Sequence, residues 1–158
     1  MKDYDDILVS LRRIMRAADI FSQKLMKSSG LTAPQLLLMQ GIEKEGSPSL
    51  STLARHLVVS QATVTRIMDR LERAGLVQRE RSSTDKRVVN VTLTEAGRDK
   101  LARAPEPLQE EFLRRFRDLD AWEQQMLNAS LLRIAKMMDA EDLDAAAILH
   151  PGSIVEAD

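Results

Sequence analysis

The stretch SQATVTRIMDRLERAG, residues 60 to 75, constrains the chain more than any other. Val64, Ile67, Met68 and Leu71 fall at i, i+3, i+4 and i+7, the spacing that gathers apolar side chains into one narrow stripe on an α-helix. Ser60 stands where an N-cap is wanted, since its hydroxyl can accept a free backbone N–H of the first turn. Gly75 follows the last apolar residue, where a left-handed C′ position favours glycine. A helix over 61–74 is therefore predicted. Its other faces carry Gln61, Thr63, Thr65, Arg66, Asp69, Arg70 and Arg73. Short hydroxyl and amide groups at the leading end, with arginines behind, suit a helix that lies in a major groove. Arginine pairs with guanine O6 and N7, glutamine with adenine, and serine or threonine with bases or phosphates.

The flanks extend this pattern. Leu53, Ala54 and Leu57 read as a shorter helix that Ser51 can cap, with Val58 and Val59 leading into Ser60. Two helices joined by a turn of three or four residues form a helix-turn-helix, whose second helix reads bases. Beyond Gly75, residues 76–81 and 88–93 read as two strands, the second alternating Val89, Val91 and Leu93 on one side. The polar, basic link Ser82-Ser83-Thr84-Asp85-Lys86-Arg87 joins them as a hairpin tip. Helix, helix and hairpin in that order make a winged helix-turn-helix, a mainly α fold with a small β-hairpin wing.

The run SQATVTRIMDRLERAGLVQRERSSTDKRVVNVTLTEAG resembles the signature of the MarR family of bacterial transcription regulators. Its sharpest parts are TVTR, DRLERAGLV, the D-K-R of the wing and the closing LTEAG, and the resemblance covers roughly residues 7 to 140. Matched position by position, Thr65 and Arg66 fall on the recognition helix, and Asp85 and Arg87 on the wing D-x-R. Together with the polar faces of the helix and the basic wing, this gives an expected DNA interface of Ser60, Gln61, Thr63, Thr65, Arg66, Arg70, Lys86 and Arg87. Asp85 is either a turn former or an acid that pairs with Arg87 or Arg81 to hold the wing. Arg87 points either into a narrow minor groove, where negative potential is strongest, or to a phosphate.

Outside this unit the chain reads as helices. Ile7 to Met26 carries a long apolar stripe on 3.6-residue spacing. Thr32 and Pro34 start a second helix whose Leu36, Leu37, Leu38, Met39 and Ile42 make it apolar on most sides, hence central and buried. Thr94 can cap a helix beginning at Glu95, which Pro105 and Pro107 should bend or interrupt. Asp120 and Glu123 form a box-like cap on a last helix carrying Trp122, Met126, Leu127, Leu131, Ile134, Ala135 and Met138. Four units are thus expected: an N-terminal dimerisation helix (1–32), the winged domain (33–97), C-terminal dimerisation helices (98–140) and a tail of unread role (141–158). The first and last stripes are too apolar for a monomer with one small core, and a second copy is the obvious partner. In the family these helices intertwine in a homodimer. The family also implies a small-molecule effector in a cleft between the dimer helices and the winged lobe, where Arg16, Asp19 and Met39 are candidate lining residues.

Charge is divided along the chain. Residues 60–104 hold ten Lys and Arg against six Asp and Glu, whereas residues 105–158 hold five against twelve. A basic centre beside an acidic end suits a DNA-binding lobe, since phosphate neutralisation supplies much of the affinity. His56 and His150 are too isolated for a zinc site, and no metal or cofactor is expected. No phosphate-binding, dinucleotide or nucleophile-elbow motif occurs, so no enzyme is read. No apolar run approaches the ~20 residues of a membrane span and no signal peptide opens the chain, so a cytoplasmic protein is expected. The leading expectation is a homodimeric repressor on a pseudo-palindromic operator; the alternative is an architectural DNA-binding protein with little sequence preference. Because the chain has no cysteine, thiol chemistry is closed to it. Low peroxide should therefore cause no dithiothreitol-reversible change in its binding, as a gel-shift titration would report.

Overall fold

The computed structural model describes residues 3–143. Their order is α1 (Asp3–Ser29), α2 (Ala33–Glu45), α3 (Leu50–Leu57), α4 (Gln61–Arg73), β1 (Val77–Arg81), β2 (Val89–Leu93), α5 (Glu95–Arg103), α6 (Leu108–Arg117) and α7 (Ala121–Met137). The expected helices and hairpin all form, with strands one residue shorter at their outer or inner ends than the sequence implied.

Local chemistry sets most of the boundaries. Thr32 caps α2 through a reciprocal box: its hydroxyl accepts the Gln35 N–H, and Gln35 Oε1 accepts the Thr32 N–H at 3.0 Å. Asp120 and Glu123 do the same for α7. The cap of α3 differs from expectation. It is Ser49, whose hydroxyl accepts the Thr52 N–H at 3.2 Å, and not Ser51. A non-local pairing makes the choice: Ser49 bridges to Asn90 of β2, and the Pro48 carbonyl accepts the Val91 N–H at 3.0 Å. That short extended segment lies beside the hairpin, so α3 starts as soon as the chain leaves it.

Helix α2 is the centre of the lobe. Leu36, Leu38, Met39 and Ile42 are buried, together with Leu25 of α1, Leu53 of α3, Val64, Met68 and Leu71 of α4, and Val77, Val91 and Leu93 of the hairpin. The strands pair antiparallel with Val77 opposite Leu93, Arg79 opposite Val91 and Arg81 opposite Val89. Of the predicted β2 face, Val91 and Leu93 are buried and Val89 is half-buried.

The LTEAG motif closes the lobe. Thr94 donates its hydroxyl to the Gly75 carbonyl at 2.6 Å and accepts the Gly97 N–H at 3.0 Å. Its own N–H reaches the Leu76 carbonyl at 3.1 Å. One threonine thus caps α5 and ties it to the turn after α4. Gly97 lies so close to that turn that a Cβ there would stand 2.0 Å from the Leu76 carbonyl oxygen.

Past the lobe, the prolines act as expected: α5 stops at Arg103 and α6 begins at Leu108 after an extended link. Arg114 clamps Glu106 of that link and Glu111 of α6, which holds the Glu111 carboxyl below its ordinary range. No residue of α7 is buried; Trp122, Leu131, Leu132 and Met137 are among its exposed side chains, and Ile7, Leu8, Ile14, Met15 and Ile20 are exposed on α1. In the tail, Leu143 is exposed, while Ile148, Leu149 and His150 lie outside the described residues.

Gly97→Ala should lower stability by roughly 3 kcal/mol because backbone, not a pliable side chain, fills the space. Gly75→Ala, at φ 72° with open space around it, should cost only about 1 kcal/mol. Urea titrations of both variants would check the order.

Candidate nucleic-acid interface

The turn between α3 and α4 is made by Val58, Val59 and Ser60. Val58 takes a left-handed conformation, φ 53° and ψ 47°, with its side chain 80% exposed. A β-branched residue there is a backbone outlier, held in place because the Val59 N–H closes onto the Ala54 carbonyl at 3.1 Å. Ser60 then leaves in extended conformation, and its hydroxyl accepts the Thr63 N–H at 3.1 Å, which starts α4.

The cap decides which α4 side chains face out. Thr63, expected on the reading face, is 7% exposed. Its hydroxyl lies 2.8 Å from that of Ser60 and also accepts from Arg66 Nη2 at 3.4 Å. It orients the start of the helix and the arginine; it does not present itself. Thr65 donates its hydroxyl back to the Gln61 carbonyl at 2.9 Å and stays half-buried. Ser60, Gln61, Arg66 and Arg70 are exposed.

The wing is shaped by two short side chains. Ser82 Oγ accepts the N–H groups of Thr84 and Asp85, each at 3.3 Å. Asp85 Oδ1 accepts the backbone N–H of Arg87 at 2.9 Å. Of the two readings of Asp85, the structure favours the turn former: among the described residues it makes no ion pair to Arg87 or Arg81 and works through the backbone, as aspartate does in an Asx turn. Arg81 is exposed at the end of β1. This leaves the Lys86 and Arg87 side chains exposed at the tip. Among the described residues no ion pair engages Arg66, Arg70, Lys86 or Arg87. Gln61 at the head of α4 and Arg87 of the wing line one groove together with Ser49 and Ser51. Helix and wing therefore form one continuous surface.

Sequence reasoning missed Arg79. Its guanidinium forks onto Asp69 Oδ1 at 2.6 Å and Glu72 Oε2 at 2.9 Å, joining β1 to α4. The signal was present in two acids three apart on α4 and a basic residue two after Val77, but only the folded hairpin brings them together.

The proposed effector residues do not converge. Arg16 and Asp19 are exposed on α1, and Met39 is wholly buried in the core. A separate apolar cleft lies between α1, α2 and the proline link, lined by Ala18, Phe21, Leu36, Leu37, Pro107 and Leu108 among others, and none of the three lines it. His56 is at the surface, 3.3 Å from Glu45.

Two helices at a tight turn, a recognition helix with an exposed amide-and-arginine head and a hairpin with a basic tip define a winged helix-turn-helix protein. Residues 31–89 match the sequence model of the MarR family. The transcriptional repressor MdtR of Bacillus subtilis is 32% identical over 92 residues, 58% of this chain and 59% of that protein. The repressor IacR of Pseudomonas putida is 31% identical over 109 residues, 69% of this chain and 65% of that protein. The matched stretch thus spans less than two thirds of either relative. Among solved structures, reduced AbfR bound to DNA superposes with a TM-score of 0.56 at 27% identity, over 86% of this chain and 94% of that one. The chain belongs to the MarR family.

Val58→Asn keeps a residue that tolerates the left-handed region and removes the β-branched clash. It should raise stability by about 1 kcal/mol in a thermal or urea melt, with α4 unchanged in its circular dichroism.

Proposed function

We propose that this chain is a homodimeric, sequence-specific DNA-binding regulator of transcription, a repressor released by a small molecule. One observation carries the reading: Gln61, Arg66 and Arg70 on α4 and Lys86 and Arg87 on the wing are exposed, with no ion pair among the described residues to quench the cations, and Gln61 and Arg87 line one groove between helix and wing. Such a surface can set arginine and amide groups against base edges while the wing cations meet the backbone or minor groove. Thr63 and Thr65 serve as braces for the helix head. MdtR and IacR bear the name of repressor, and AbfR was solved on DNA, which supports the same role here.

Dimerisation rests on the apolar side chains that α1, α6 and α7 leave exposed, more than a lone soluble chain covers with solvent comfortably. On this reading, residues 1–32 and 98–140 form the dimerising arm and 33–97 the winged domain. A two-fold dimer sets two recognition helices in successive major grooves, ~34–36 Å apart, so the operator is an inverted repeat. The apolar cleft at the proline link is the better candidate for an effector than Arg16, Asp19 or Met39. The protein has no catalytic role and works in the cytoplasm; no described helix is long and apolar enough to cross a membrane. The base-reading head of α4, with glutamine and arginine in place of uniform lysine, disfavours an architectural role.

Arg66→Ala should weaken operator binding by about 1–3 kcal/mol and random-DNA binding far less. Inserting five base pairs between half-sites turns one by about half a turn and should reduce binding nearly to the non-specific level. Fluorescence anisotropy on the operator, the random duplex and the insertion duplex tests both. Equal losses on operator and random DNA would refute base reading, and indifference to the insertion would refute the two-fold geometry.

A further inference from the structure

Only the base of the wing rests on the core. Along β1 only Val77 is buried; on β2 Val91, opposite Arg79, is buried and Val89 half-buried, so apolar support runs out beyond the Arg79–Val91 pair. A two-stranded ribbon is by itself a weak structure with a variable twist. The Pro48–Ser49 segment holds β2, and at the edge of that support Arg79 ties β1 to the recognition helix. The residue shares the Val77 face, since strand side chains alternate. Its side chain is 25% exposed, and its two terminal nitrogens take Asp69 and Glu72 of α4 separately. The Nε atom is buried without an acceptor, so the guanidinium spends its donors on the two helix acids alone.

We infer that Arg79 is a positioning residue for DNA recognition: its fork on Asp69 and Glu72 fixes the angle between the recognition helix and the wing. Gln61 and Arg66 can then occupy a major groove while Lys86 and Arg87 reach the flanking DNA in the same encounter. The inference rests on the DNA-binding reading above. Arginine suits the task because its planar, rigid fork meets two acceptors at once; lysine offers one point charge on a flexible stem. The fork also neutralises two carboxylates that would otherwise stand on α4 near a polyanion.

The test uses the full chain and a duplex enriched from random sequence by the wild-type protein. Arg79→Met keeps the apolar stem and removes the fork; Arg79→Lys keeps the charge and loses the two-point geometry. Both should bind the enriched duplex about tenfold more weakly, with a smaller loss on random DNA. Hydroxyl-radical footprints should lose the protection flanking each half-site and keep the central one. Asp69→Asn with Glu72→Gln should reproduce that footprint, and adding Arg79→Met to it should change little more. Melting curves separate positioning from plain stability. An Arg79→Met protein with unchanged affinity and footprint overturns the inference. So does a parallel loss on both duplexes that follows a fall in melting temperature. If the wild-type protein enriches no sequence at all, the regulator reading falls and this inference with it; the other failures leave that reading standing.

Discussion

The burial of α2 is the constraint on which the winged lobe depends. Leu36, Leu38, Met39 and Ile42 are all but inaccessible to water, and residues from α1, α3, α4 and the hairpin close around them. At roughly 25 cal/mol for each Å² of apolar surface removed from water, such side chains supply the dominant favourable energy of a lobe this small. With three per cent aromatic residues in the chain, leucine, isoleucine, valine and methionine must provide that surface. Helices α3 and α4 and the hairpin therefore turn their apolar faces onto this core, to which α1 adds Leu25. The opposite face of α4 is left free for polar chemistry, and that is where its glutamine and arginines stand.

Around this core, polar contacts set directions more than they set stability. Ser60 and Thr63 aim the head of α4; Ser82 and Asp85 curl the wing tip; Thr94 joins the end of α4 to the start of α5. The strained backbone at Val58 belongs to the same group. An exposed valine in a left-handed turn is tolerated because hydrogen bonds on either side leave the chain no other path between two packed helices.

What could be read from the sequence follows the range of the interaction. Ser60, Thr32, Thr94 and Asp120 were recognisable as caps because each partner lies three residues away. The choice of Ser49 over Ser51 was not, because it depends on pairing with Asn90 in a strand still to come. Thr63 was placed outward since helical spacing alone does not show a hydroxyl folded back onto its own cap. The fork of Arg79 joins two elements, and no local pattern announces it. Met39 could not be assigned a face on a helix apolar almost all round, and the fold buries it completely.

The break between α5 and α6 divides the chain into regions that open to solvent on different terms. Helix α5 has a threonine cap, a glycine wedged against a neighbouring carbonyl and a buried leucine at position 101. Helix α6 begins at Leu108, where Pro107 offers no side-chain cap, and neither it nor α7 has a buried residue among those described. In a lone chain the amide hydrogens of α6 and α7 would exchange early, long before those of α2 or α5, because local opening there uncovers so little apolar surface. In the proposed dimer a second copy covers those helices, and their protection becomes a property of the assembly. Folding of the arm and association are then one equilibrium, and the resistance of the protein to heat rises with its own concentration.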